Sequence, residues 1–133
     1  MSKTNYRITT KDGLIHVGDD VNIVVGSDCY AYFVTEVTDQ RHIKVKEYNV
    51  CGDRTKPGGM GHQDWVYFKT AKEEDEYLRK FGIEQDGREY KEETWVLRYN
   101  NWYKVTDDGR YEKIQMKAIF GKDIKSYYYD WSL

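Results

Sequence analysis

Apolar and polar residues alternate through Val21-Ile23-Val25, through Tyr30-Tyr32-Val34 and on to Val37, and through Ile43-Val45-Glu47. A two-residue period sends successive side chains to opposite faces of an extended chain, so each run predicts a strand with one buried face. Turn residues punctuate the runs: a Gly18-Asp19 corner before the first, Gly26-Ser27-Asp28 before the second, and Thr38-Asp39-Gln40 before the third. Strands this short and closely spaced twist and curl onto themselves. Residues 17–48 therefore predict the opening of a small SH3-like barrel, with Ile23, Val25, Val34, Val37, Ile43 and Val45 as its shared core.

The pattern changes after residue 50. Residues 51–64 hold four glycines and the single proline, which predicts a long loop. Trp65-Val66-Tyr67-Phe68 reads as a fourth strand, so the barrel strands occupy about 17–70. Thr70 and Glu73 have capping-box spacing, acidic residues follow in the first turn, Arg79 and Lys80 lie in the last, and Gly82 ends the pattern. These signals predict a helix over about 71–81 with Tyr77, Leu78 and Phe81 as its apolar stripe. Alternation returns from Thr94, with a hairpin around Asn100-Asn101 and another turn at Asp107-Asp108-Gly109, giving C-terminal hairpins over about 94–121. The end, residues 126–133, is too aromatic for a solvated tail and is expected to dock on the body. The fold class is thus mainly β in one domain: a small SH3-like barrel extended by an antiparallel hairpin sheet, with one short α-helix.

Composition refines this picture. The chain has 133 residues, of which 16% are aromatic, including 13 tyrosines, so the core is expected to be aromatic. A formal net charge of −2 removes bulk attraction to nucleic acid. Charge is uneven locally: residues 41–56 and 110–125 each carry five basic against two acidic residues, whereas 72–93 is acidic. These are read first as solvated faces. The first 12 residues lack an apolar signal segment, and no stretch is long and apolar enough to span a membrane, which predicts a soluble cytoplasmic protein that uses no membrane.

Catalytic chemistry finds little to stand on. Cys29 and Cys51 lack metal-type spacing and read as reduced thiols, and His16, His42 and His62 form no ligand pair, so neither a metal nor another cofactor is expected. Adjacent carboxylates such as Glu92-Glu93 and Asp107-Asp108 point to opposite faces in extended chain and would not share a site. The expectation is a protein that is not an enzyme. The candidate binding residues are Arg54, Lys56 and His62 in the glycine-rich loop, where close backbone approach suits an anion, and Tyr30, Tyr32 and Trp65, whose rings would stack on a base.

Several blocks in fixed order carry a resemblance: Val17-Gly18-Asp19, Ser27-Asp28 with Tyr30, Val34 to Val37, Ile43-Lys44-Val45, Gln63-Asp64-Trp65, Leu97 to Trp102, Phe120-Gly121 and Tyr128-Tyr129-Asp130. Together they resemble a group of small uncharacterised phage and prophage proteins, over roughly residues 17–131. The resemblance implies a viral origin and an accessory role in the host cytoplasm. Two functions follow as expectations. The first is a counter-defence binder that inhibits a host protein or sequesters a small anionic nucleotide signal. The second is a nucleic-acid-binding module using Lys44, Lys46, Arg54 and Lys56 on phosphates, which the acidic balance makes the weaker of the two. A homo-oligomer is compatible with either.

Overall fold

The computed structural model describes residues 8–10, 13–25, 28–55, 65–84, 87–99, 101–114 and 117–127. Eleven strands and one helix follow in the order β1 (Ile8–Thr10), β2 (Gly13–Ile15), β3 (Asp20–Val25), β4 (Asp28–Val37), β5 (His42–Glu47), β6 (Asn49–Gly52), β7 (Trp65–Phe68), α1 (Ala71–Arg79), β8 (Glu93–Arg98), β9 (Asn101–Val105), β10 (Tyr111–Lys113) and β11 (Lys117–Gly121). Seven of the strands form one antiparallel sheet in the order β10-β9-β8-β5-β4-β3-β11, and β1-β2 and β6-β7 are separate hairpins. The protein is therefore mainly β with one helix, as its alternation predicts.

The sheet is strongly curled. Its two edge strands, β10 and β11, are consecutive in the chain and joined by only three residues, 114–116. A flat seven-stranded sheet would hold its edges about 29 Å apart at about 4.8 Å per strand spacing. Three linking residues reach at most about 14 Å. The Trp102 ring of β9 accordingly meets the Phe120 ring of β11 at 5.3 Å, across the opening of the curl. The expected closed barrel is not found: among the described residues β10 and β11 do not pair, and the sheet stays open at that seam.

Register explains the core. Val21 lies opposite Tyr32, Val34 opposite Val45, and Ile43 opposite both Val37 and Trp95. Paired residues share a face, and these fill the concave side with Ile15, Ile23, Trp102 and Phe120 buried around them. A β-bulge between Val34 and Glu36 inserts one residue, which returns Val37 to the inner face three positions after Val34. Val25 departs from expectation: it ends β3 and is 38% exposed rather than buried.

Two connections differ from the predicted layout. The chain leaves the sheet at Tyr48, whose N–H donates to the Ala31 carbonyl at 2.9 Å. Cys51 and Gly52 then belong to β6 rather than to a loop, and Gly52 pairs with Trp65. With β6 turned away, the free edge of β5 is taken by β8, so the C-terminal hairpin extends the main sheet in antiparallel order. The β6-β7 hairpin covers the outer face of β4, where Ala31, Phe33 and Tyr48 make a second small core packed by Val50 and Tyr67. The β8-β9 turn is centred one residue earlier than predicted, because Arg98 pairs with Asn101 and Tyr99 takes a positive φ of 51°.

The helix forms where its caps dictate. Thr70 has extended backbone, and its side chain accepts the Glu73 N–H. At the other end Gly82, with φ of 76°, donates to Arg79 O while Ile83 donates to Leu78 O, a Schellman closure that ends the helix at the predicted glycine. Leu78 is buried, Tyr77 packs between Phe68 and Phe81, and Phe81 stays largely exposed.

Two stability outcomes follow. Val34, 1% exposed, cannot take a charge: Val34→Asp buries an unpaired carboxylate at a cost of several kcal/mol, against a total of about 5–15 kcal/mol for a domain, and thermal unfolding followed by circular dichroism should lose its cooperative transition. Thr70→Ala removes only the helix cap and should destabilise by about 1 kcal/mol in a urea titration with the fold retained.

Candidate functional site

The strongest concentration of directed polar and aromatic contacts lies on the outer side of β3 and β4, beside β7. Asp20 and Asn22 interrupt the apolar run of β3 on the face opposite Val21 and Ile23, yet both are buried. What covers them is the chain's own segment 124–127. The Asn22 amide donates to Ile124 O at 2.6 Å and accepts from the Ser126 N–H at 2.9 Å, so one side chain holds a backbone as a neighbouring strand would. Asp20 Oδ2 accepts from both the backbone N–H and the Nζ of Lys125 at 3.3 Å, and its other oxygen accepts from the Tyr48 hydroxyl. The Lys125 ammonium also lies 5.7 Å from the centre of the Tyr48 ring. The Cys29 thiol donates to Ser126 O, and burial raises its pKa, partly offset by a hydrogen bond with the Ser126 side chain.

The predicted aromatic residues divide. Tyr30, which register puts on the same face of β4 as Tyr32, and Trp65 come together because the Tyr127 ring lies edge-on to both, with centroids 6.0 Å and 4.6 Å away. The Tyr127 N–H is held by the Tyr67 hydroxyl at 2.8 Å. Tyr32 goes elsewhere: its ring packs on Trp95 inside the curl, and its hydroxyl bonds to Glu47, with burial first and the Glu47 and Glu93 carboxylates next raising its pKa. Arg54 is exposed just beyond the Gly52–Trp65 pair, and its backbone N–H donates to the Tyr77 hydroxyl of α1 at 2.9 Å. Lys56 and His62 lie outside the described residues. Of the tail expected to dock, Ser126 and Tyr127 make the contacts above, and residues 128–133 also lie outside the described residues.

A second feature is a cavity of about 210 Å³ on the concave side, lined by Ile23, Tyr32, Glu93, Trp95, Lys104 and Glu112 among others. Glu93 accepts from the Trp95 indole N–H at 3.1 Å and lies 3.8 Å from Lys104 Nζ, so its charge is balanced within the protein. Cys51 is a poor nucleophile, because burial, and then the Glu74 carboxylate, push its pKa to about 11. Among the described residues there is no cluster of three histidine, cysteine or acidic side chains placed to hold a metal ion, and no helix is long and apolar enough to cross a membrane.

Sequence reasoning missed Asp20, Asn22, Tyr67 and Tyr127 as members of one site. Asp20 and Asn22 are polar on alternate positions of an otherwise apolar strand, and because both are buried they need hydrogen-bond partners on that face. Compared with protein-family models, with curated proteins and with solved structures, the chain matches none.

Another buried acid, Glu74, supports α1 rather than the site. It accepts from the Asn49 amide at 3.3 Å, and burial raises its pKa above the ordinary 4.5. The folded chain thus binds this proton more tightly than the unfolded chain, so its contribution to stability is full at low pH and is lost as pH rises from 4.5 through the folded-state value. Glu74→Gln keeps an oxygen for Asn49 and removes that loss. Its melting temperature should exceed the parent's near neutrality, with the gap narrowing below pH 4.5.

Proposed function

We propose that this chain is a non-catalytic binding protein, an accessory protein of viral origin that counters host defence by inhibiting a host protein or sequestering a nucleotide signal. The observation that carries the reading is the aromatic slot between Tyr30 and Trp65, which accommodates a planar ring in the form of Tyr127. A partner's ring or a base entering there in place of Tyr127 would make the same edge-to-face contacts, worth about 0.5–1.5 kcal/mol each. Arg54, exposed two residues beyond the Gly52–Trp65 pair, supplies positive charge, and the glycine-rich chain after it suits close approach of an anion.

The curled sheet, with Trp102 on Phe120 across its seam, also favours an SH3-like reading of the fold, a frame that serves binding of many kinds. The nucleic-acid alternative draws less support. Lys46 is engaged by Glu89 and the Lys69 carbonyl, and Lys44 lies 3.9 Å from both Glu36 and Glu92, so two of its four phosphate-contacting cations are already neutralised.

The test pairs capture with mutation. Immobilised protein is exposed to host lysate and to a panel of purine nucleotides and cyclic dinucleotides, and the bound species are identified by mass spectrometry. Arg54→Ala with Lys56→Ala should abolish retention of the recovered partner while leaving the melt intact. Retention unaffected by that pair places the binding surface elsewhere.

A further inference from the structure

Segment 122–127 lies along the body without joining a strand ladder. Its backbone is held by side chains: the Asn22 amide at Ile124 and Ser126, the Asp20 carboxylate at Lys125, the Cys29 thiol at Ser126 and the Tyr67 hydroxyl at Tyr127. A strand bound through backbone pairing is part of a sheet and leaves only when the sheet is disrupted. A segment gripped by side chains of other elements leaves behind an intact sheet and a preformed bed.

That bed has three features in register. A cation slot is formed by the Asp20 carboxylate and the Tyr48 ring, filled by Lys125. A backbone clamp is formed by the Asn22 amide, which offers one donor and one acceptor as a peptide group does. An aromatic slot is formed by Tyr30 and Trp65, filled by Tyr127. Asp20 is 1% and Asn22 8% exposed under the segment, so the polar groups of the bed are fully desolvated by their occupant. The combination of a main-chain clamp with side-chain slots on either side of it is what recognition of an extended peptide requires.

We infer that this bed is a peptide-recognition groove whose resident occupant is the chain's own Ile124-Lys125-Ser126-Tyr127, and that it accepts from a protein partner an extended segment with a cationic residue two positions before an aromatic one. The inference rests on the binding-protein reading and sharpens it, since the aromatic slot is shared: the partner is a polypeptide, and the C-terminal segment is its competitor. Tethering raises the local concentration of that competitor, so a free peptide meets the intact chain at a disadvantage.

The test uses the full chain and a fluorescein-labelled peptide, Lys-Asp-Ile-Lys-Ser-Tyr-Tyr, followed by fluorescence anisotropy. Lys125→Ala with Tyr127→Ala empties both slots in cis and should bind the peptide. The parent should bind it at least about ten-fold more weakly, because the tethered segment competes. Ser126→Pro, which removes the N–H that Asn22 accepts but keeps both side chains, serves as a second loosened form should the double variant melt too low to assay. Adding Asn22→Ala to either loosened chain should abolish binding, and a peptide with Glu for its second lysine and Ala for its first tyrosine should not bind. No binding by a folded, loosened chain, equal affinity of parent and loosened chains, or equal binding of the altered peptide each overturns the inference. If the peptide fails while Arg54→Ala with Lys56→Ala still abolishes retention of a host partner, the groove assignment falls and the binding-protein reading stands.

Discussion

A short covalent link between the two edges of one sheet constrains everything else in this molecule. Because residues 114–116 join β10 to β11, the seven strands have to curl until strands five places apart in the sheet touch through Trp102 and Phe120. Curling turns one face inward, and that face becomes the core only because alternation has already sorted Val21, Ile23, Val34, Ile43, Val45 and Trp95 onto it. The bulge after Val34 adds local twist and restores Val37 to the interior, so a break in the sequence period serves the curvature.

The outer face is organised by different forces. A curled sheet leaves its convex side uncovered, and two unlike elements cover it. The β6-β7 hairpin brings aromatic area onto Phe33 and Tyr48, a hydrophobic closure. The C-terminal segment brings peptide groups and a lysine onto Asp20 and Asn22, a polar closure in which each buried group finds a partner. Helix α1 sits against the hairpin, and the Glu89 carboxylate accepts the Ala71 N–H at its start while bonding Lys46 of β5, so one side chain ties the helix, the segment before β8 and the sheet.

Much of the local structure was legible in the chain. The strands at 20–25, 28–37, 42–47 and 65–68 follow from period-2 runs bounded by turn residues, and the helix from Thr70, Glu73 and Gly82, because these signals act over a few residues. Partnership was not legible. Nothing near Ile43 tells it that Trp95 will lie opposite, since that pairing depends on where β6 departs, a decision made at Tyr48 by contact with Ala31. The β1-β2 hairpin escaped notice because Ile8-Thr9-Thr10 is too brief to show a period. At the candidate site Tyr30 and Trp65 were found from residue type alone. Tyr32 packs on Trp95 instead, a neighbour that depends on strand order, and Asp20 and Asn22 were passed over as ordinary polar positions of a strand.

An open seam exposes sheet edges, and a free edge is a template for another sheet to add to. Here β10 is three residues long, with Tyr111, Glu112 and Lys113 all exposed. It offers an incoming strand little ladder and a pair of opposite charges to desolvate. The brevity of β10 therefore guards the sheet on that side against growing by accretion.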